Sequence, residues 1–514
     1  MTHGGARLQF PGLHDGAKRY ISPHVRVKLT FYPLAAAVPD VYQPRTTGQF
    51  IISPDPKESL AALTSFTWNK AMGKASGSWE AQIKDKPGFG LIGAEELDEQ
   101  IIDGDWVDCT VIRNGYEIPL FRGVVDSVRE QVATDEGNRI VTWTVSGRDH
   151  GAFFEYPITW TNIWAQTLGE LVKGLFTERV KGKVGGRPDE LFDIMLEATF
   201  GKGTVAGQWE IPETLKDKKT SRTAFIDFLQ RVKISAYNQQ GLRGAYYNEP
   251  QLWTTGKQTL HQSLYQWCNP ILNEIYYDLL PPSDFFPPGS PMAPALTSGD
   301  KTFGEMGAII RERPFMSTVD GDNSQWFQLP KWTIPWLLIQ SSDLGKSGQQ
   351  RYNVIQLLAD FGMGSTVEQT VQSAPTWSKF DILARGLRVY QQSTRFYAQS
   401  NQGIGQWYEE RANWQQLLSD WWTPVPYMRQ GTVVAKTALP EVRIGQKVKL
   451  DPGNEKRAET FYVEGVTFNW QNYAMPSMPP RSQTALMLTR GLRVDDRERL
   501  SLLKRHDGFF QTVL

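Results

Sequence analysis

The sequence predicts an α+β, multidomain protein: two similar antiparallel β-barrel or sandwich domains plus helix-containing domains. Three observations predict it. Strand-like runs with apolar and polar residues in alternation gather near both ends of the chain, as in Val25–Phe31 and Arg139–Ser146. Helical spacing of apolar residues is concentrated in the middle. Glycines then recur in the two strand-rich regions at nearly the same intervals.

The strands follow in order. Val25–Phe31 alternates strictly, as a half-buried strand does, and Phe50–Ser53 reads as a second, short one. Leu63–Trp68 and Ser76–Ile83 follow, with Gly73 and Gly77 as turn signals. Trp106–Ile112 is strand-like, Asn114-Gly115 supplies a hairpin turn, and Leu120–Val128 returns. Arg139–Ser146 closes this region, and a short helix is expected near Ala94–Gln100. Helices are expected over Trp160–Phe176 and Thr223–Ile234, joined by a Gly/Lys-rich connection at Lys181–Arg187. Tyr265–Leu280 returns to strand composition, Pro281–Asp300 reads as a loop, and Ile309–Phe315 resumes order. Arg351–Phe361, Trp377–Asn401 and Ile404–Trp422 read as helical. Strands are expected again near Gly431–Ala435, Lys447–Leu450, Thr460–Trp470 and Thr484–Arg490.

At 514 residues, roughly three or four domains are expected. The boundaries read as an N-terminal arm over 1–24, a β domain over 25–155, and a mixed helical domain over 156–260. A second β domain combines 261–343 with 425–495, interrupted by a mostly helical insertion at 344–424, and 496–514 forms a C-terminal arm.

The glycine pattern suggests that one β unit is used twice. Gly104 precedes a strand, Gly123 lies 19 residues later, and Gly147 a further 24. Gly445 precedes a strand, Gly465 lies 20 residues later, and Gly491 a further 26. Chance is the alternative, because a glycine before a strand is common. If three such chains close into a ring, it presents six similar units.

Composition narrows the function. Lys+Arg and Asp+Glu are 55 each, so the net charge of zero argues against a nucleic-acid coat protein and permits self-association. Two cysteines, Cys109 and Cys268, cannot build a disulfide framework or a cysteine zinc site. Met1–Phe10 holds no apolar run of the signal-peptide kind. The apolar stretch Trp332–Ile339 is far shorter than the ~20 residues of a membrane span, so a soluble cytosolic product is expected.

No catalytic, cofactor-binding or metal-ligating residue can be assigned. Ser342–Ser347 lacks the first glycine of a phosphate loop, since position 340 is Gln340. Asp320–Ser324 begins like a calcium loop but has Gln325 and Lys331 where glycine and glutamate are required. The six histidines show no ligand spacing. His150, beside Asp149, reads as part of a salt-bridged strand exit. The acidic run Glu95, Glu96, Asp98, Glu99, with Asp103 and Asp105, reads as a solvated face; a pair of catalytic carboxylates is the alternative. Trp407, Trp414, Trp421 and Trp422 read as core or interface aromatics, with sugar stacking as the alternative.

Glu99–Asp149 resembles the first tube-like domain of bacteriophage tail baseplate hub proteins. The matching residues are Gly104-Asp105-Trp106-Val107, Leu120-Phe121-Arg122-Gly123-Val124-Val125-Asp126 and Gly147-Arg148-Asp149. The second half is similar at Asn273-Glu274, Tyr276-Tyr277-Asp278, Arg311-Glu312-Arg313-Pro314-Phe315, Tyr462-Val463-Glu464-Gly465-Val466 and Thr489-Arg490-Gly491-Leu492. The resemblance implies a non-enzymatic structural protein of the virion, in the tail baseplate, assembled in the host cytoplasm without a cofactor. It implies a homotrimer whose two tube-like β domains per chain make a pseudo-sixfold ring. One face would meet the hexameric tail tube or a tube-initiator protein, the other a trimeric central spike, with other baseplate proteins around them. DNA would meet the chain only in transit through a polar-lined bore, whose rim candidates include Lys447 and Lys449. A carbohydrate-binding or cell-wall-degrading tail protein is the alternative. The spike of a type VI secretion system is a third reading, disfavoured because no repeated short strands follow Gly491.

Overall fold

The computed structural model describes residues 25–32, 50–52, 62–84, 101–135, 138–155, 270–280, 306–316, 325–359, 376–394, 404–453, 458–472 and 480–492, with short pieces at 7–8, 97, 233–236, 259, 261–262, 265 and 510–512. The expected helices at Trp160–Phe176 and over most of Thr223–Ile234 lie outside these residues. So do the loops at Lys181–Arg187, Pro281–Asp300 and Asp320–Ser324. Of Ala94–Gln100 only Leu97 is described, and it is helical.

Mostly antiparallel β-sheet dominates. The N-terminal strands are β1 (Arg7–Leu8), β2 (Val25–Tyr32), β3 (Phe50–Ile52), β4 (Ala62–Ala71), β5 (Ser78–Lys84), β6 (Trp106–Arg113), β7 (Tyr116–Asp135) and β8 (Asn138–Asp149). Then come β9 (Lys233–Ala236), β10 (Asn273–Leu279), β11 (Met306–Glu312), β12 (Lys331–Pro335), β13 (Ile339–Lys346), β14 (Val354–Ala359), β15 (Thr376–Ser378) and β16 (Val389–Thr394). The last are β17 (Arg429–Ala435), β18 (Lys447–Asp451), β19 (Glu459–Gln471), β20 (Arg481–Leu492) and β21 (Phe510–Thr512). A single helical turn at Gln325–Gln328 and two longer helices, α1 (Lys379–Arg385) and α2 (Ile404–Trp422), stand among them.

Alternation decides which face of each strand is buried. In β5 every second side chain is buried (Trp79, Ala81, Ile83), and the residues between them face solvent. In β2, Val25, Val27, Leu29 and Phe31 point inward. Strands β10 and β11 are buried along their whole length, as a strand covered on both faces must be. Phe121 is the centre of an aromatic stack, with ring centroids 6.1 Å from Phe66, 6.3 Å from Trp68 and 5.7 Å from Trp79. Phe468 of β19 joins it, 6.0 Å from Phe66, so one core runs beneath strands from both ends of the chain.

Fourteen strands form one sheet. Within it, β2, β4, β5, β6, β7 and β8 come in chain order, with the short β3 between β2 and β4 as an addition to the first set, and β12, β13, β17, β18, β19 and β20 come in the same order. The neighbours correspond: β4–β5, β5–β8, β8–β7 and β7–β6 in the first set, β13–β17, β17–β20, β20–β19 and β19–β18 in the second. Two pairs of irregularities fall at matching places, while the shifts at Cys109/Thr110, Arg429/Gly431 and Thr460/Tyr462 have no counterpart in the other set. The β4–β5 ladder shifts between Leu63 and Ser65, and β13–β17 between Ile339 and Ser341. The β7–β8 ladder shifts between Val125 and Ser127, and β19–β20 between Val463 and Gly465. The flanks differ, since β2 runs antiparallel to β6 and β12 runs parallel to β18.

Two expected helices are corrected. Arg351–Phe361 contains strand β14, which pairs in parallel with β16. Its apolar residues Val354, Ile355, Leu357 and Leu358 fit either period, and pairing with the β-branched start of β16 decides. Among its described residues, Trp377–Asn401 is helical only over Lys379–Arg385. Gly386 ends that helix at φ 80°, its N–H reaching the Ile382 carbonyl at 2.8 Å, and the chain then extends into β16. The helix at Ile404–Trp422 is present and buries Trp414, Leu417, Leu418 and Trp421 against Ile355 and Leu357.

Gly123 is one of the positions where the sheet leaves no room for a side chain. A Cβ there would stand 2.1 Å from the Arg148 carbonyl oxygen, which is backbone and cannot step aside. Gly123→Ala is expected to destabilise the chain by about 1–3 kcal/mol in denaturant unfolding, the range for forced overpacking. Gly73→Ala, with nothing within 4 Å of the new Cβ, should stay within about 0.5 kcal/mol of the parent.

Candidate functional site

Of the six glycines with matched spacing, Gly104 and Gly445 hold the same local geometry. Gly104 has φ 84° and donates to the Val125 carbonyl at 2.8 Å, and Val125 donates back to Asp105 at 2.9 Å. Gly445 has φ 78° and donates to Val463 at 2.8 Å, and Val463 donates back to Gln446 at 2.9 Å. Glycine is favoured at both because φ is positive. The other four occupy differing register positions. Gly123 stands opposite Val107, where the second set has Phe461 opposite Val448. Gly465 stands opposite Met487, where the first set has Ser127 opposite Ser146. Gly147 stands opposite Val125, where the second set has Leu488 opposite Val463. Gly491 pairs with Arg429, and a Cβ there would meet the Phe461 ring.

The two strand sets meet along β19. Its first residues pair with β18 (Leu450↔Glu459 to Lys447↔Tyr462), and its later ones pair with β4 (Gly465↔Ala71 to Gln471↔Ser65). Both partners lie on one edge of β19, with β20 on the other. This makes an eight-strand path, β13–β17–β20–β19–β4–β5–β8–β7, that crosses from one set to the other without a break.

Buried charges lock this junction, two of them, Glu441 and Arg443, from the segment between β17 and β18. Arg113 of β6 forms a buried pair with Glu441, and its Nη1 also donates to the Ala438 carbonyl at 2.8 Å. Arg443 donates to the carbonyls of Leu120 at 2.5 Å and Pro119 at 2.6 Å, and meets Asp278 at 3.2 Å. Arg311 of β11 donates to Glu274 at 2.6 Å, to the Gly445 carbonyl at 2.7 Å and to the Tyr462 hydroxyl at 3.0 Å. Tyr462 donates in turn to Glu274 at 2.8 Å. Burial pushes the carboxyls of Glu441 and Asp278 up; facing Arg113 and Arg443 oppose it. Burial and the Glu274 carboxylate hold the Tyr462 phenol well above its usual range.

Of the residues considered for chemistry, Glu95, Glu96, Asp98 and Glu99 lie outside the described residues, as does the Trp407 side chain; the expectation that Asp105 sits on a solvated face is corrected, since it is buried. Asp149 pairs with Lys70 at 2.7 Å, both buried, and its second oxygen accepts from the Gly151 N–H at 3.0 Å. His150 lies 3.2 Å from the Gly307 carbonyl, and burial, aided by Lys70, lowers its pKa to about 3. Asp105 is buried and accepts from the Ile102 N–H at 2.9 Å. Trp414 and Trp421 are in the core, and the Arg490 guanidinium lies 3.3 Å from the Trp421 ring centroid. Lys447 is corrected as a rim residue: it is buried, and its Nζ donates to the Trp326 carbonyl at 2.6 Å. Sequence reading missed Arg113 and Arg443, since it places arginines at the surface. The available signal was Glu441-x-Arg443 inside an otherwise apolar segment. Among the described residues, no group of three or more His, Cys, Asp or Glu is arranged to hold a metal ion, and no helix is long and apolar enough to cross a membrane.

Glu441→Gln leaves Arg113 buried without its counter-charge and should cost about 3–5 kcal/mol in denaturant unfolding. The joint Arg113→Met, Glu441→Leu variant should recover most of that loss. His150 gives a pH signature. Its folded pKa lies below the unfolded value of about 6.5, so unfolding takes up one proton between those values. Stability is therefore full above about pH 6.5 and falls by about 1.4 kcal/mol per pH unit towards pH 3. His150→Asn should remove one proton from that slope, as measured by unfolding at a series of pH values.

No protein-family model matches the chain, and a search of curated proteins finds no relative. Among solved structures, the chain is similar to a tail protein from Neisseria meningitidis, with TM-score 0.45 and 11% identity over 90% of this chain and 96% of that one. It is similar to the 43 kDa tail protein of prophage MuSo2 from Shewanella oneidensis, with TM-score 0.45 and 12% identity over 91% and 98%. It is also similar to a prophage tail protein from Listeria monocytogenes, with TM-score 0.39 and 8% identity over 93% and 99%.

Proposed function

We propose that this chain is the structural baseplate hub of a bacteriophage tail. Three copies form a pseudo-sixfold ring that joins the hexameric tail tube to the trimeric central spike and leaves a channel for DNA. The observation that carries this reading is the pair of strand sets with one chain order, one pattern of neighbours and matching ladder shifts inside one sheet. A chain with two such units gives six similar units per trimer, which is what a sixfold partner requires of a threefold object. The motif residues support it: Glu274, Arg311 and Tyr462, from three separate motifs of the hub resemblance, share one buried network.

In this reading, 25–155 and 261–343 with 425–495 are the two tube-like β domains. Residues 156–260 form a helical domain and 344–424 an insertion, with arms at 1–24 and 496–514. The six glycines serve bends and close approaches within the two units. The protein acts mechanically, in the virion, without cofactor or catalysis. Its partners are the tail tube or tube-initiator protein, the central spike and neighbouring baseplate proteins. The sugar-binding alternative loses support because Trp414 and Trp421 are core residues.

The test is the mass in solution together with end-on negative-stain images. A mass of three times 58.3 kDa with six similar lobes is expected. A mass that stays at one chain when the cognate spike is added, or rings with another lobe count, would overturn the reading.

A further inference from the structure

The eight-strand path has two ends. One is the outer edge of β13. The other is the outer edge of β7 beyond Ser127, where β6 no longer reaches, since its ladder with β7 stops at Trp106↔Val124. Among the described residues no strand pairs with either edge. Arg129, Glu130, Gln131, Val132 and Ala133 are exposed on β7, as are Ser341, Ser342, Asp343, Gly345 and Lys346 on β13. Val132 is an apolar side chain 52% exposed.

The seam inside the chain says what fits them. There, β19 beyond its shift at Gly465 pairs with β4. By register, β7 beyond its shift at Ser127 corresponds to that part of β19, because Ser127↔Ser146 matches Gly465↔Met487. Likewise β13 corresponds to β4, because Trp68↔Trp79 matches Leu344↔Gly431 when each is traced to Gly147 and Leu488. The β19–β4 seam, written in corresponding residues, is a β7–β13 seam.

We propose that β7 of one copy pairs antiparallel with β13 of a second copy of this chain, in the register Ser127↔Ser347, Glu130↔Leu344, Gln131↔Asp343, Val132↔Ser342 and Ala133↔Ser341. This rests on the ring reading above for the identity of the partner. The contact joins two different edges, so it is head-to-tail and closes only as a ring. Main-chain hydrogen bonds supply the attachment, as in strand addition generally. Side chains fix the register: Arg129 lies diagonal to Asp343 and Glu130 diagonal to Lys346, one opposite-charge pair on each face. The permanent inner seam instead stacks Phe66, Trp68, Phe468 and Trp470, which a surface exposed before assembly could not carry without aggregating.

Cysteines placed directly opposite test the register. The Val132→Cys, Ser342→Cys chain is made with Cys268→Ser, leaving Cys109, which is buried, as the remaining native thiol. Oxidation should give bands of two and three chains on a non-reducing gel that collapse to one on reduction. The shifted pair Val132→Cys, Asp343→Cys puts the thiols on opposite faces and should cross-link at least tenfold less. Asp343→Arg should shift the assembly towards single chains, and adding Arg129→Asp should restore it. A trimer that does not cross-link in this register, or that cross-links equally in the shifted one, overturns the seam and leaves the ring. Cross-linked ladders running past three chains uphold the seam and overturn the three-copy ring. Single chains without cross-links overturn the seam.

Discussion

Strand β19 is the constraint on which the rest depends, because one edge of it serves two partners in succession. The handover from β18 to β4 falls at the shift between Val463 and Gly465, where the extra residue Glu464 leaves the ladder. The Glu464 carbonyl accepts the Met72 N–H at 2.8 Å, and its carboxylate accepts the Thr489 hydroxyl at 2.9 Å. Both groups freed by the bulge are therefore used to tie the end of β4 and the far strand β20 to the same point. A bulge there bends the strand and increases its twist, so the first set is turned relative to the second by a fixed amount. Without that bend β18 and β4 would compete for one line of hydrogen-bonding groups.

Hydrogen bonds along a seam fix register, whereas an angle between packed layers needs contacts off the sheet. The segment between β17 and β18 provides them. Glu441 and Arg443 are both buried and reach opposite ways, one to β6 and the other to the start of β7 and to β10. Such pairs add little net stability once desolvation is counted, and apolar replacements of the same volume often do as well. Their value is directional. A guanidinium held by two carbonyls and a carboxylate accepts one arrangement of the surrounding strands, while an apolar contact accepts several.

Much of the fold is legible in the sequence. Alternation marks β2, β5 and β8, and Gly104 and Gly445 mark two equivalent strand entries. The remaining glycine spacings do not coincide in the register because the loops and bulges between them differ in length. A repeat of backbone positions is also poorly visible in side chains: Trp143 corresponds to Thr484 and Phe121 to Glu459, since the two sets face different neighbours. The β14 segment reads as helix because four apolar residues in six satisfy both periods. Its pairing partner, β16, begins 35 residues further on. The edges of β7 and β13 carry no sequence signal at all, because polar strand residues look the same whether they face water or a second chain.

An adaptor between sixfold and threefold partners must be repetitive on one surface and unequal elsewhere. The chain divides along that line. The eight-strand path carries the correspondence, with matching neighbours and ladder shifts. Beyond β6 and β18, which still correspond, what is attached to it breaks the correspondence. β4 and β5 are joined by a short turn at 72–77, whereas the equivalent strands β13 and β17 are separated by residues 347–428, which hold α1, α2 and three strands of a separate four-stranded sheet. The outermost strands run in opposite senses in the two sets. The side chains flanking the path therefore occur once per chain, while its four-strand half occurs twice. In the proposed ring, pseudo-sixfold order would rest on backbone register, which tolerates side-chain divergence, and threefold order on an insertion placed at one of two equivalent turns.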